Sequence, residues 1–229
     1  MIESFRPFST GHFLTVLAGF AGVAVFLLLG RRGGKTGRAS TLVLAWLNLL
    51  ANPLAALAAF HSGKAMEAEQ YLPFHLCDVA ALAAGIALLT RNRLLGSLTY
   101  FWGLAGTMQG LVTPAITDGG LVCVTFFFQH FVIVAAAIHL PVVEGWRPRR
   151  PLWKAIGEAY AWSVVYLLFA LAVNAMTGAN FAYVSHPPEN PSLLDHLGPW
   201  PLYVFSMQGI AILFFSLLSL PFLRPKTTT

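Results

Sequence analysis

Residues 122–143 read VCVTFFFQHFVIVAAAIHLPVV, 22 consecutive residues with no Lys, Arg, Asp or Glu. A hydrocarbon core about 30 Å thick takes roughly 20 residues of helix to cross, so this run is long enough to span a bilayer. Working outward from it, six further apolar runs are found at 12–30, 40–60, 74–90, 94–113, 155–176 and 202–223. None shows the strict alternation of a barrel strand, and lipid leaves a spanning backbone no other way to satisfy its hydrogen bonds than a helix or a closed barrel. The expectation is an all-α membrane protein, a seven-transmembrane-helix bundle forming one polytopic domain over residues 1–229. Seven spans take up about 140 residues, which leaves only short connections and no room for an appended soluble domain.

Composition excludes the soluble classes. The chain is 57% hydrophobic and 10% charged, against about 25% charged in an average globular protein. A net charge of +5 and a pI near 9.5 would suit a nucleic-acid binder only if the basic residues shared one accessible face. They lie instead between apolar runs, so no nucleic-acid partner is expected. Arg31, Arg32, Lys35, Arg38, Arg91, Arg93, Arg147, Arg149, Arg150, Lys154, Arg224 and Lys226 all fall in alternate connections or the C-terminal tail, and only Arg6 and Lys64 fall on the other side. Short Lys/Arg-rich loops stay cytoplasmic, which places the N-terminus outside and the C-terminus cytoplasmic in a cell-membrane protein with a basic inner collar facing anionic lipid. The positive cluster at 31–38 follows the first run rather than preceding it, unlike a signal peptide, and the first run is expected to be retained. Spans one to three and five to seven share no sequence repeat.

Polar residues inside spans are costly in lipid and normally face a bundle interior or a wet cavity. With the helix directions set by the charge pattern, Asn52, Gln109, Gln129, His130, Asn174, Ser206 and Gln208 gather in the outer half, on the side opposite the basic collar. An outward-opening polar cavity accommodates them, and Asn52, Gln109, Gln129, Asn174 and Gln208 are the expected substrate-binding residues. Membrane lipids are the expected partner.

The densest constellation is Leu72-Pro73-Phe74-His75-Leu76-Cys77-Asp78, where a loop turns into the third span. Proline before a first helical turn suits a helix start. Cys77 then sits near the positive end of the helix dipole, which favours a thiolate. His75 and Asp78, three apart, share a helical face, whereas Cys77 points about 160° from His75 on a regular helix. A base from another span, His130, therefore suits Cys77 better, and Cys77, His75, His130 and Asp78 form the expected catalytic set. The plainer alternative makes Cys77 a small apolar residue, with His75 and Asp78 capping the helix. Cys123, at similar depth on the same side, could instead take Cys77 into a disulfide. No tight ligand spacing such as H-E-x-x-H occurs, so neither metal nor cofactor is expected.

Other segments read as structural. Gly103, Gly106 and Gly110 form a small-residue face for helix packing, including packing between copies in a homo-oligomer. Asn48 and Asn52 precede Pro53 and could satisfy carbonyls freed by a proline kink. Phe126, Phe127 and Phe128 read as lipid or core contacts, and Glu158 is expected to pair with Lys154. The connection 177–201, rich in proline, could cover the cavity as a lid, with Trp200 and Tyr203 as interfacial anchors.

The order and span positions of Leu72-Pro73-Phe74-His75-Leu76-Cys77, Tyr100-Phe101-Trp102-Gly103-Leu104-Ala105-Gly106, Phe127-Phe128-Gln129-His130, Pro191-Ser192-Leu193-Leu194-Asp195 and Gly198-Pro199-Trp200-Pro201 resemble the YwaF-type family of bacterial integral membrane proteins over residues 40–223. Distant animal relatives of that family are described as lipid acyltransferases that act on ether phospholipids through a cysteine beside a histidine. The resemblance implies Cys77 as the acyl-accepting nucleophile, with His75 or His130 in proton transfer. In the animal pattern the cysteine directly precedes the histidine, a place held here by Phe74. The expected function is thus an outer-leaflet acyl transfer through a cysteine thioester. The alternatives are a transporter or binding protein using the same cavity without covalent chemistry, and a scaffold assembled through the Gly106 and Gly110 face.

Overall fold

The computed structural model describes residues 5–63, 67–188 and 190–223, and all regular structure among them is helical. Lys64, Arg224 and Lys226 of the charge pattern lie outside the described residues. Among the described residues six stretches are long and apolar enough to cross a membrane: Thr10–Arg31, Gly34–His61, Ala68–Thr90, Gly120–Val142, Leu152–Thr177 and Leu202–Phe222, with mean hydropathy from 1.7 to 2.4. The remaining expected span, 94–113, is a composite. It runs as α5 (Arg93–Phe101), a π-helical turn (Trp102–Gly106) and α6 (Thr107–Val112), so it is continuous helix that changes its winding midway.

The other helices are α1 (Thr10–Arg31), α2 (Gly34–His61), a single turn α3 (Ala68–Tyr71), α4 (Leu76–Thr90), α7 (Gly120–Val142), α8 (Leu152–Thr177) and α9 (Leu202–Ser219). Helix α2 begins six residues before the expected apolar run, because a helical backbone has no reason to stop where its side chains become basic. The link from α1 to α2 is therefore only Arg32 and Gly33, and Gly33 takes φ 65°. Gly34 is the first residue of α2. The two helices cross closely: a Cβ on Gly37 would sit 2.8 Å from the Gly30 carbonyl oxygen, and Ser40 Oγ donates to Phe26 O at 3.1 Å.

Helix α7 is the most buried span, packed among α1, α2, α4 and α5. Its Ile133 and Val134, with Leu44 of α2 and Phe101 of α5, are fully buried. Helix α4 contributes small residues, Ala80, Ala81, Ala84 and Ala87. A Cβ on its Gly85 would meet Leu49 Cγ at 2.5 Å, so α2 and α4 approach more closely than larger side chains would permit, the packing that lipid-embedded helices use in place of a hydrophobic drive. Helices α1, α8 and α9 are peripheral. Leu17, Leu168 and Phe205 are 60–70% exposed, as suits side chains whose solvent is hydrocarbon.

Asn48 is fully buried and donates through Nδ2 to Leu44 O at 2.9 Å and Val132 O at 3.0 Å, while Asn52 donates to Asp78 O at 3.2 Å. These bonds tie α2 to α7 and α4, so the proline-kink reading of the two asparagines is replaced by interhelical bonding. The small-residue face is taken up inside the chain. Added Cβ atoms would meet Ala137 from Gly103 at 3.0 Å, Leu76 from Gly106 at 2.6 Å and His130 from Gly110 at 2.2 Å. Glu158 lies 4.0 Å from Arg149 rather than pairing with Lys154, whose ammonium sits 5.4 Å from the Trp153 ring.

Candidate functional site

A cavity of about 790 Å³ occupies one end of the bundle, lined by α2, the 69–78 segment, the π-turn and α6, α7, α8, α9 and the 182–197 connection. Its polar wall starts at the entry to α4. His75 is the N-cap in extended conformation, and its backbone N–H donates to Asp78 Oδ2 at 2.9 Å. Asp78 thus closes the first turn of α4, as the capping alternative expected, and this fixes Cys77 in the second helical position. The other carboxylate oxygen, Oδ1, accepts from Gln129 Nε2 of α7 at 2.8 Å, and the same nitrogen donates to Asn52 Oδ1 at 2.7 Å. Together with the Asn52 bond to Asp78 O, this closes a loop of hydrogen bonds across α2, α4 and α7. Both amide hydrogens of Gln129 are used in it.

Cys77 lines the cavity with its thiol free, and Cys123 is also free. The thiol lies 4.0 Å from Asp78 Oδ1, so the group in contact with it is the carboxylate. His130, 4% exposed, shares the cavity wall. Its Nδ1 is 2.7 Å from Phe126 O one turn back, and since a carbonyl only accepts, Nδ1 carries the hydrogen. Nε2 is then the basic nitrogen of the neutral ring, and it lies against Gly110, where no side chain intervenes.

His75 also lines the cavity, its ring packed edge-on against Phe181 at 5.1 Å and beside Tyr183 at 5.6 Å. Gln109 and Gln208 line it as well, and Gln208 Oε1 is buried with no partner. Asn174 is placed elsewhere: it accepts from Phe181 N at 2.9 Å and donates to Phe181 O at 3.1 Å, and is not part of the lining. Of the expected residues, Cys77, His75, His130, Asp78, Asn52, Gln109, Gln129 and Gln208 therefore converge on one cavity, and Asn174 anchors the connection that follows α8.

That connection packs over the cavity. Asn180 Oδ1 accepts from Ser185 N at 3.0 Å and His186 N at 3.4 Å, its Nδ2 donates to His186 O at 2.8 Å, and its own N–H donates to Glu69. Tyr203 Oη donates to Tyr183 O at 2.7 Å and Trp200 Nε1 to Val184 O at 3.0 Å. Burial, followed by the neighbouring Cys77, Glu69 and Asp78, pushes the Tyr183 hydroxyl up, so it remains a hydrogen-bond donor at neutral pH. Asn180, Glu69 and Tyr183 were not singled out from the sequence; the one signal there was the length of the connection. At the opening of α7, His12 of α1 joins the same end by bonding Leu111 O at 3.0 Å and accepting from Phe8 N at 3.0 Å.

The lining has further polar members, among them Gln70, Tyr71, Thr107, Asp118 and Tyr166, and its most apolar side, a lobe beside the polar wall, is formed by Leu167 of α8 and Met207, Ile210, Ala211, Phe214 and Phe215 of α9. Trp102 of the π-turn bridges the two, its Nε1 donating to Ser163 Oγ at 2.8 Å. Among the described residues no three His, Cys, Asp or Glu side chains converge in a way that could hold a metal ion.

No solved structure matches the chain. An uncharacterized protein of Treponema pallidum (strain Nichols) is 25% identical over 161 residues, a stretch covering 68% of this chain and 63% of that protein, so the chain spans under two thirds of this relative. Residues 7–219 match the sequence model of a family related to the YwaF-type resemblance, though not under that name. The chain is a multi-pass membrane protein that belongs to the TMEM164 family.

Proposed function

We propose that the protein is a lipid acyltransferase in which Cys77 carries the acyl group as a thioester. The observation that supports this most directly is the free Cys77 thiol and the His130 imidazole on the wall of one cavity whose other lobe is apolar. The bundle is read as seven spans, counting Arg93–Val112 as one, with the cavity on the outer side and the basic collar at the cytoplasmic end.

In the first half-reaction the Cys77 thiol gives its proton to His130 Nε2, directly or by way of Asp78, and sulfur attacks the carbonyl of a lipid acyl ester. The carbon–sulfur bond forms, the ester carbon–oxygen bond breaks, and the leaving alkoxide takes the proton from the imidazolium. In the second half an acceptor hydroxyl gives its proton to His130 and attacks the thioester, the carbon–sulfur bond breaks, and the departing thiolate takes the proton from the imidazolium. Gln109, which lines the cavity, donates to the oxyanion in this reading, while Gln129 and Asn174 have their donors committed elsewhere. Asp78, Gln129 and Asn52 hold the entry turn of α4 in place. His75 forms part of the wall with Phe181 and Tyr183. The apolar lobe accommodates the acyl chain.

The test is mass spectrometry of purified protein after incubation with phospholipid. The expected result is an acyl mass on the peptide containing Cys77, lost in Cys77→Ala together with transfer activity. Normal turnover by Cys77→Ala removes the nucleophile from the proposal. Saturable lipid binding without an adduct or turnover in folded wild-type protein points to non-covalent binding or transport through the same cavity.

A further inference from the structure

At the opposite end of the bundle a second cavity, about 350 Å³, opens between the turn joining α4 to α5 and the turn after α7. Its side chains include Arg91, Arg93, Glu144, Trp146 and Arg147. Glu144 is already neutralised: Arg91 Nη2 lies 2.9 Å from one carboxylate oxygen and Thr41 Oγ1 donates to the other at 2.8 Å. Arg91 adopts φ 57° at the C-terminal end of α4, a left-handed position where glycine is the usual occupant. The strained arginine holds Glu144, and two further arginines remain.

Arg93 has no carboxylate partner among the described residues. Arg147 is held in place without being neutralised, its Nη1 donating to Pro141 O and Trp146 O, both at 2.8 Å, with the guanidinium 5.6 Å from the Phe222 ring centroid. Helix α5 also starts here. Asn92 Oδ1 accepts from Leu95 N at 3.0 Å, which leaves the earlier amides of the first turn directed outward with the positive end of the helix dipole. Trp146 adds a buried indole N–H, beside Gly96, with no acceptor. The cleft is therefore rich in donors and positive charge, and its one carboxylate is engaged. Basic pockets between helices on the cytoplasmic side of a membrane suit anionic headgroups.

We propose that this cleft binds a phosphate-type anion, held by Arg93 and Arg147 at the start of α5. The chemistry is shared by an anionic phospholipid headgroup and by free phosphate, and the site is independent of the acyl-transfer reading because it lies at the other end of the bundle.

The experiment compares thermal unfolding of the full-length protein in nanodiscs of phosphatidylcholine alone, of phosphatidylcholine with phosphatidylglycerol, and of phosphatidylcholine with added inorganic phosphate. Native mass spectrometry of the detergent-solubilised protein counts retained phosphatidylglycerol. Stabilisation and retention with phosphatidylglycerol identify the lipid headgroup as ligand, and stabilisation by phosphate alone identifies the soluble anion. Arg93→Gln combined with Arg147→Gln is expected to weaken binding roughly 20- to 30-fold, about fivefold per arginine near an anionic surface. Arg31→Gln with Arg32→Gln removes the same charge from collar residues that do not line the cleft and is expected to leave binding within about twofold of wild type if the site is local. Equal losses in the two double variants, or no stabilisation by either anion, overturn the proposal. Arg93→Gln alone, on an exposed side chain, serves as the second variant should the double substitution fail to fold.

Discussion

Substituting Gly110 by alanine puts a methyl carbon where the structure leaves only 2.2 Å to His130 Nε2 and 2.3 Å to Cδ2. An ordinary contact needs about 3.4 Å or more, so the ring must retreat by roughly 1.2 Å or α6 must separate from α7 by as much. The ring is tethered through Nδ1 to Phe126 O at 2.7 Å and stacked on the Phe126 ring with centroids 4.1 Å apart, and a retreat of that size breaks the bond. Overpacking costs about 1–3 kcal/mol and the lost hydrogen bond about 1 kcal/mol. The expected destabilisation is about 2–4 kcal/mol, or roughly 4–16 °C at ~2–4 °C per kcal/mol for a chain of this length. Tryptophan fluorescence during thermal unfolding in detergent measures it. The decisive comparison is a double-mutant cycle with His130→Ala, because removing the ring removes the clash. Gly110→Ala in the His130→Ala background is expected to cost under about 0.5 kcal/mol. A single Gly110→Ala variant that unfolds within about 1 °C of wild type, or a double variant that carries the sum of the two single effects, refutes the close approach of Nε2 to α6. Acyl transfer, if it depends on His130 Nε2, falls in the same single variant.

Two further outcomes follow from the hydrogen bonds. Gln129→Leu removes the donor shared by Asp78 and Asn52 and leaves both oxygens in the bundle without it, so stability in a thermal melt is expected to fall by about 1–3 kcal/mol; a change below about 0.5 kcal/mol denies the network its role in joining the three helices. Asn180→Ala removes the side chain that bonds three backbone groups of the 185–186 turn, and limited proteolysis between residues 177 and 201 is expected to speed up roughly 5- to 150-fold for about 1–3 kcal/mol of local opening, with an unchanged global melt. Unaltered cleavage shows that Tyr203 and Trp200 suffice to hold the connection.

The positions of the helices could be read from the sequence because lipid forbids anything else: a charge-free run such as 122–143 has to be helical and has to be about as long as the membrane is thick. The ends of the helices could not, since nothing in the backbone marks where hydrocarbon stops, and α2 continues through Lys35 and Arg38 to Gly34. The π-turn at Trp102–Gly106 was equally hidden. It inserts one residue into the winding without altering composition, and its effect, turning Trp102 toward Ser163 and Thr107 N toward Trp102 O, depends on helices far away in sequence. The gathering of polar residues at one end of the bundle could be inferred because each is costly in lipid. Their partners could not. Asn48 and Asn52 read as a local pair near Pro53, yet each bonds across to another helix, and sequence spacing along α2 carries no information about which atoms of α4 and α7 it faces.

The partners then separate two kinds of polar residue that looked alike in the sequence. Asn174 has both ends of its amide on the Phe181 backbone, and Gln129 has both hydrogens on Asn52 and Asp78. Groups satisfied in this way hold the frame, because drawing any of them into a reaction would leave a buried partner unpaired at about 1–3 kcal/mol. His130 Nε2 and the buried Gln208 Oε1, Gln70 Oε1, Tyr71 Oη and Thr107 Oγ1 are at the cavity without that commitment, and the Cys77 thiol has only a weak 4.0 Å contact. Their position on a wall stiffened by the Asn52–Gln129–Asp78 loop, beside the apolar α8–α9 side, is what the acyl-transfer proposal calls for. If the proposed acyl transfer takes place and the frame is what matters, Gln129→Leu lowers turnover mainly by loosening the Cys77 turn. Restoring stability by binding a lipid in the apolar lobe is then expected to recover part of that turnover, whereas a Cys77 substitution recovers none.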